Sequence, residues 1–224
     1  MIIALPSSGL TLVPNKILCI GRNYAEHVRE MGDVAELPEE PVVFLKPASA
    51  LVATGGAVVV PPQSNDVHHE VELVAVIGLG GRDIAEERAL EHVTAYALGL
   101  DMTARDLQQR AKQNRAPWSV AKGFDTFAPL GPLTDAAEIP DPQALRLRLT
   151  VNDEVRQEGA TRDMIFSVAF LVSYLSRIFT LEPGDLIFTG TPEGVGPVRA
   201  GDVLEATAMG PDGLRFDPLR VTVR

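Results

Sequence analysis

The sequence has little of what marks several classes of protein. Lys and Arg together number 20 against 30 Asp plus Glu, a formal net charge of −10, and no basic run offsets this balance. A surface for nucleic acid or an anionic membrane needs clustered positive charge, so we expect neither partner. No apolar run approaches the roughly 20 residues that cross a bilayer, so we expect no membrane span.

Cysteine is almost absent. Cys19 has no partner for an internal disulfide, which is typical of a reducing compartment, and its neighbours Leu18 and Ile20 predict a small buried side chain. The first residues, 1–6, lack the basic segment and the long apolar segment of a signal peptide. These features together predict a cytoplasmic protein.

What the chain does have is turn residues and enough apolar residues for a core. It contains 19 Gly and 17 Pro among 224 residues, spread along the chain, which predicts many turns between short strands. We therefore predict a β-dominated α+β fold in a single domain, 1–224, with 1–15 as a short N-terminal extension. A helix is predicted from a cap at Asn23 to about Met31, followed by an exposed acidic connection, Asp33–Glu40.

The stretch His68–Ile77 is the most informative. Its Val- and Ile-rich second half predicts a strand buried on both faces, on which Glu70 and Glu72 point the same way. Two carboxylates side by side at a buried strand repel each other and lose solvation, and a proton, a basic partner or a cation can relieve this. On their own, the two acids are more simply interpreted as a solvated strand end.

A third acid, Asp101, follows a second apolar run, Val93–Leu100. If the two strands are neighbours in one sheet, the three carboxylates converge. Such an all-oxygen site suits Mg²⁺ or Mn²⁺ better than zinc, which favours His and Cys. His68 and His69 are poor zinc ligands because neighbours on a strand face opposite ways, so we expect them to pack beside the acids or to contact a carboxylate.

Other residues can carry chemistry. His27 and Glu30 lie three apart on the predicted helix, so they can form a general-base pair, although a weak surface contact is the simpler interpretation. Lys122 can hold an oxyanion, or it can be a lysine with an exposed head. Arg22 and the loop Thr189–Thr191 can bind a substrate carboxylate.

Nine stretches, taken in order, resemble the fumarylacetoacetate hydrolase family, in its short single-domain branch of acylpyruvases, also described as oxaloacetate decarboxylases. A single Glu-x-Glu is weak, but the ordered set covers most of the chain. The stretches are Gly21–Met31, Phe44–Pro47, His68–Glu72, Leu100–Asp106, Trp118–Phe124, Asn152–Glu154, Gln157–Gly159, Pro183–Asp185 and Thr189–Gly196.

The resemblance implies a mixed β-sandwich roll, a homodimer, and a mobile lid over 23–40. It implies roles for nine residues. Glu70, Glu72 and Asp101 would hold Mg²⁺ or Mn²⁺; His27 and Glu30 would form a catalytic pair with Lys122 nearby; and Arg22, Gln108 and Thr191 would bind the substrate.

The activity that the resemblance implies is metal-dependent hydrolysis of a C–C bond in a 2,4-diketo acid of the acylpyruvate or fumarylpyruvate type. Pyruvate would be released, and oxaloacetate decarboxylation would be a second reaction of the same site. Two alternatives stay open at this point: an isomerase or decarboxylase of hydroxymuconate-type diacids, and a metal-binding protein without turnover.

Overall fold

A computed structural model describes residues 2–5, 9, 11–30, 32 and 37–224, so part of the predicted lid, residues 31 and 33–36, lies outside the described residues. Short strands dominate, as predicted. They are β1 Ile3–Ala4, β2 Thr11–Leu12, β3 Ile17–Gly21, β4 Val42–Lys46, β5 Leu51–Ala53, β6 Ala57–Val58, β7 Val67–His69, β8 Val71–Ile77, β9 Val93–Leu100, β10 Thr103–Ala104, β11 Ala128–Leu130, β12 Thr134–Asp135, β13 Arg146–Val151, β14 Glu154–Ala160, β15 Leu186–Phe188, β16 Gly196–Pro197, β17 Val203–Met209 and β18 Leu219–Val223.

The helices are few and short. None in the described ranges is both long and apolar enough to cross a membrane. The α-helices are α1 Ala25–Glu30, α2 Arg105–Gln113, α3 Ser119–Lys122 and α4 Val168–Ile178, and single 3₁₀ segments cover Ala48–Ala50, Glu86–His92, Ala136–Glu138, Pro142–Ala144, Thr161–Asp163 and Pro211–Gly213.

Two mixed sheets form the body of the fold. An eight-stranded sheet has the order β4-β3-β15-β8-β9-β11-β5 with β12 paired to β9, and a five-stranded sheet has the order β14-β13-β17-β18-β6. Side chains of β8 and β9, such as Leu73 and Leu98, share one buried cluster with Leu147 and Leu204 from β13 and β17. The sheets therefore pack face to face, which confirms the β-dominated prediction.

Strand β8 lies in the centre and is buried on both faces, as its apolar run predicts. Leu73 and Ala75 belong to the cluster between the two sheets, whereas Val74 and Val76 belong to a second cluster on the opposite face. The second cluster also contains Cys19, which is fully buried as expected. Because β8 is enclosed on both sides, the residues at its start are held rigidly.

The predicted strand His68–Ile77 is divided at Glu70. Its first part, β7, pairs with β10 and β16 in a separate three-stranded sheet, whereas β8 pairs with β9 and β15 in the large sheet. Glu70 lies between the two strands, where the chain passes from one sheet to the other. This junction, together with the end of β9, is where the acidic residues meet.

Candidate active site

The three predicted metal ligands converge. One carboxylate oxygen from each of Glu70, Glu72 and Asp101 lies within 4.8 Å of the others, and all three side chains are buried. The register of β8 and β9 causes this, because Glu72 lies opposite Gly99 and the Asp101 N–H donates to the Glu70 carbonyl at 2.8 Å. The predicted pairing of the two strands is therefore confirmed.

Three buried cations surround these acids. Lys122 Nζ donates to Glu70 Oε2 at 2.8 Å and to Asp101 Oδ2 at 2.5 Å. Arg105 Nη2 donates to the other oxygen of Glu70, and Lys46 Nζ forms an ion pair with Asp101 Oδ1 at 2.7 Å. The alternative of an exposed lysine head at Lys122 is thus wrong, since only 1% of this residue is exposed.

The three cations bond to Glu70 and Asp101, and this separates the two glutamates electrostatically. Burial alone would raise the pKa of Glu70, but the adjacent Lys122 and Arg105 cations hold that pKa well below its usual range. Burial, together with the charges of Asp101 and Glu70, holds the pKa of Glu72 well above its usual range. Its own hydrogen bond is from the Gly190 N–H at 2.8 Å, a neutral donor.

The cluster fits a hard divalent ion. It offers oxygen ligands from three carboxylates in one buried place, and Glu72 has no cationic side chain bonded to it in the part of the chain that the structure describes. A divalent cation would offset both the burial and the repulsion from Asp101 and Glu70 that raise the pKa of Glu72. Glu70, Glu72 and Asp101 are therefore suited to hold Mg²⁺ or Mn²⁺.

The predicted His–Glu pair forms beside the acids. His27 Nδ1 lies 3.3 Å from Glu30 Oε2 on α1, and the Gly194 N–H donates to the same carboxylate at 3.0 and 3.2 Å. His27 is buried and lines the same pocket as Glu70 and Glu72. The imidazole of the pair is therefore enclosed in the pocket, whereas the Glu30 carboxylate is partly exposed.

The predicted substrate-binding residues line this pocket too. Its wall is formed by Ile20, Gly21, Arg22, His27, Phe44, Glu70, Glu72, Arg105, Gln108, Lys112, Trp118, Lys122 and Thr191. All nine residues singled out from the sequence are thus in the wall or bonded to a residue in it, because Asp101 bonds to Lys122 and Glu30 to His27. The paired histidines lie behind the acids: His68 bonds to Asp66, and His69 bonds to Gln157.

Asn23 has a different role from the predicted helix cap. Its Nδ2 donates to the carbonyls of Phe166 and Thr189 at 3.0 and 2.7 Å, and its Oδ1 accepts from the Phe166 N–H at 2.7 Å. The side-chain amide is fully buried and therefore joins the start of the α1 segment to two distant loops. Gly190 packs against it: at φ 99°, an added Cβ there would lie 2.6 Å from Asn23 Cβ.

Truncation of this amide is expected to destabilise the protein. Asn23→Ala leaves a buried N–H and two buried carbonyls without partners, which costs on the order of 3 kcal/mol in the free energy of unfolding. Urea denaturation measures this, with Asn15→Ala as the control, since Asn15 is exposed and its side-chain amide donates to the exposed Glu182. A loss no larger than that of the control would contradict the assigned role.

Sequence reasoning missed two of the buried cations, Lys46 and Arg105. Arg105 joins Glu70 to Gln108, to whose Oε1 it donates at 2.6 Å. Lys46 also donates to the carbonyls of Met102 and Lys122. A signal was present, because Lys46 ends an apolar strand and Arg105 follows one, and a charge in such a position needs a partner.

Comparison with known proteins agrees with this geometry. Residues 16–224 match the sequence profile of the family described as fumarylacetoacetate (FAA) hydrolase, C-terminal. The chain belongs to the fumarylacetoacetate hydrolase family. The fold described above is that of the family's C-terminal domain.

Relatives within the family carry different activities. Oxaloacetate tautomerase FAHD1, mitochondrial, of Arabidopsis thaliana is 50% identical over 202 residues, which are 90% of each chain. Fumarylpyruvate hydrolase from Pseudomonas aeruginosa, in a crystal structure with Mn²⁺ and pyruvate, is 46% identical with a TM-score of 0.91, over 100% of this chain and 95% of that one. The crystal structure of 5-carboxymethyl-2-hydroxymuconate delta-isomerase from Mycobacterium smegmatis is 41% identical with a TM-score of 0.82, over 95% of this chain and 79% of that one.

Proposed function

We propose that this protein is a metal-dependent hydrolase that cleaves a C–C bond of a 2,4-diketo acid and releases pyruvate. The observation that carries the proposal is the meeting of two sets of residues in one pocket: the acids Glu70, Glu72 and Asp101, and the pair His27–Glu30. A purely structural metal site has no need of the second set. The fumarylpyruvate hydrolase relative, with its Mn²⁺ and pyruvate, supports the same class of substrate.

The charge of the site favours a dianionic substrate. Three carboxylates are matched by three buried cations, Lys46, Arg105 and Lys122, so one divalent ion leaves an excess of two positive charges. A buried excess of this size is stabilised by a ligand of opposite charge. Fumarylpyruvate and oxaloacetate carry two carboxylates, whereas acetylpyruvate carries one, so we expect a preference for the first two.

When bound, the divalent ion supplies Lewis-acid polarisation and a template for the substrate's oxygens. His27 supplies the base. Its Nδ1 bonds to the Glu30 carboxylate, so Nδ1 carries the proton and the lone pair is on Nε2. Nε2 takes a proton from water as that water attacks the C4 carbonyl, and the C3–C4 bond then breaks to give the enolate of pyruvate.

Lys122 is placed to stabilise that enolate. An ammonium has three N–H donors, and in Lys122 two of them bond to Glu70 and Asp101. The third is available to an oxygen in the pocket, where developing negative charge in a water-poor site is stabilised strongly. Protonation of the enolate at C3 completes the release of pyruvate.

A second function, keto–enol tautomerisation of oxaloacetate, is favoured by the 50% identity to the Arabidopsis tautomerase. It would use the same enolate stabilisation by Lys122 but no attacking water. Decarboxylation of oxaloacetate also passes through the pyruvate enolate. Isomerisation of a hydroxymuconate-type diacid is the activity in the name of the mycobacterial relative. Like tautomerisation, it needs only proton transfer.

One assay panel separates these functions. Acetylpyruvate, fumarylpyruvate and oxaloacetate are each supplied with Mg²⁺ or Mn²⁺ and then with excess EDTA, while pyruvate, CO₂ and enol absorbance are followed. We expect chelator-sensitive release of pyruvate, faster from fumarylpyruvate than from acetylpyruvate. Enol loss from oxaloacetate without pyruvate or CO₂ would identify a tautomerase instead, and activity that survives EDTA would contradict metal dependence.

Two broader expectations belong to the same proposal. We propose a homodimer, for which light scattering should give twice the chain mass of 24.1 kDa. A cytoplasmic location stays a prediction, and the names of several relatives include the word mitochondrial.

A further inference from the structure

Gln157 is a buried polar residue that the mechanism above does not use. It lies on β14, is 1% exposed, and makes four hydrogen bonds behind the pocket wall. Its Oε1 accepts from the Val71 N–H at 3.0 Å and bonds to His69 Nδ1 at 2.9 Å. Its Nε2 donates to the Pro192 carbonyl at 2.9 Å and to Thr191 Oγ1 at 2.8 Å.

The orientation of this amide is fixed by the backbone. A backbone N–H can only donate, so the end of the amide that faces Val71 must be the oxygen. A carbonyl can only accept, so the end that faces Pro192 must be the NH₂ group. It follows that Nε2 donates to Thr191 Oγ1 and that the Thr191 hydroxyl is the acceptor in this bond.

The consequence reaches the substrate pocket through Thr191, which lines it. A hydroxyl has one hydrogen to donate, and Thr191 does not use it toward Gln157. Among the residues that the structure describes, no other side chain or carbonyl takes this hydrogen. The hydroxyl is thus left as a donor for an acceptor in the pocket, such as a carboxylate oxygen.

We propose that Gln157 is a positioning residue that makes the Thr191 hydroxyl a hydrogen-bond donor to the carboxylate of the 2-oxo acid. This inference rests on the proposed function. It assigns a role in substrate binding to a residue that acts through Thr191 and does not itself contact the substrate. It also explains why a neutral amide is present there: a carboxylate could still accept from Val71 but would have no hydrogen for Thr191.

The test uses Gln157→Glu, which keeps the size of the side chain. A glutamate presents an acceptor oxygen to Thr191, both when it is ionised and when its proton is donated to the Pro192 carbonyl. The Thr191 hydroxyl then donates its hydrogen to this glutamate and no longer to an acceptor in the pocket. We expect the KM for fumarylpyruvate and the Kd of pyruvate, measured by calorimetry with Mn²⁺ bound, to rise by about tenfold or more, with a smaller change in kcat. The Mn²⁺ affinity, measured by electron paramagnetic resonance without substrate, should not fall, because the bond from Val71 is kept and an added carboxylate does not repel a cation.

A double-mutant cycle separates this role from a general structural one. In a Thr191→Val background, which lacks the hydroxyl, Gln157→Glu should change the pyruvate Kd less than twofold, whereas a structural role predicts the same loss in both backgrounds. Thr191→Ser, which keeps the hydroxyl, should stay sensitive to Gln157→Glu.

The outcomes distinguish this inference from the proposed function. An unsubstituted protein that binds and releases pyruvate, together with a Gln157→Glu variant of unchanged Kd, would overturn the inference alone. Additive losses across the cycle would also overturn it. An unsubstituted protein that neither binds pyruvate with Mn²⁺ nor releases it from any substrate would overturn both.

Discussion

In excess EDTA, Glu72→Gln is expected to unfold at a higher urea concentration than the unsubstituted protein, and Glu70→Gln at a lower one. The two substitutions are chemically identical and two residues apart, yet their neighbours differ. Glu70 bonds to Lys122 and Arg105, whereas Glu72 has the Gly190 N–H and two nearby carboxylates. Opposite signs at these two positions would show that the cations of the site stabilise the charge of Glu70 much more than that of Glu72.

The magnitudes follow from the burial of each group. Removal of the Glu70 charge leaves two buried cations without this partner, which costs about 3–5 kcal/mol in the free energy of unfolding. In Glu72→Gln the amide oxygen can still accept from Gly190, and the NH₂ group can donate to a neighbouring carboxylate. We expect a gain in the free energy of unfolding on the order of 1 kcal/mol, the usual net contribution of one such hydrogen bond.

The pH dependence has a definite sign. Because the pKa of Glu72 is raised in the folded state, the folded protein keeps a proton that the unfolded chain has released. The contribution of Glu72 to the free energy of unfolding of the metal-free protein therefore falls as pH rises from the usual carboxyl pKa toward the raised one. The advantage of Glu72→Gln should grow over this window, which a urea series at about pH 5 to 8 measures.

Metal provides the second half of this experiment. Added Mg²⁺ or Mn²⁺ should stabilise the unsubstituted protein, because a ligand that binds only the folded state raises the free energy of unfolding. Both glutamine variants should lose most of this stabilisation. Glu87→Gln is the matched control, since Glu87 is exposed on a 3₁₀ segment away from the site, and it should follow the unsubstituted protein. Equal destabilisation by both substitutions in EDTA would contradict the electrostatic separation of Glu70 and Glu72.

Replacement of His27 is expected to affect hydrolysis far more than oxaloacetate decarboxylation. Hydrolysis needs a base for the attacking water, so His27→Ala should lower its kcat by about 100- to 10,000-fold. Decarboxylation needs no attacking water and keeps Lys122 at the enolate, so its loss should stay below about tenfold. Paired assays of pyruvate from fumarylpyruvate and of CO₂ from oxaloacetate measure the ratio.

Helix α1 itself offers the control for the glutamate of the pair. Glu30→Gln removes the charge beside His27 Nδ1, whereas Glu26→Gln makes the same change at an exposed position that pairs with Arg29. We expect a loss of hydrolysis only for Glu30→Gln, and little further loss when it is combined with His27→Ala, because residues that act as a unit are not additive. Comparable losses of both reactions in His27→Ala would contradict the proposal that His27 activates water while Lys122 stabilises the enolate.

The sequence allowed much of this site to be predicted, for an identifiable reason. Glu70, Glu72 and Asp101 are close in space because of one strand pair, and the apolar runs of β8 and β9 mark that pair plainly. His27 and Glu30 are close because of helical spacing alone. Local periodicity is enough for such residues, and the ordered family motifs supplied the rest.

What could not be predicted depends on contacts between distant segments. The cap expected at Asn23 was wrong because Phe166 and Thr189, more than 140 residues away, take the side chain instead. The division of the predicted strand at Glu70 depends on which strands lie beside each half. For Lys46, Arg105 and Gln157, the sequence does not identify the bonding partners, because those partners lie on distant segments.

The attachment of α1 has a consequence for how this scaffold can diversify. The metal-ligating side of the site is embedded in the large sheet, whereas the base is carried by a six-residue helix. That helix buries His27 and Val28 and is joined at its flanks to other segments, by Asn23 before it and by the bond from Gly194 to Glu30 at its end. On the proposed roles, exchange of this one segment is expected to leave a site limited to reactions that need no attacking water, with the ion-binding side inherited unchanged.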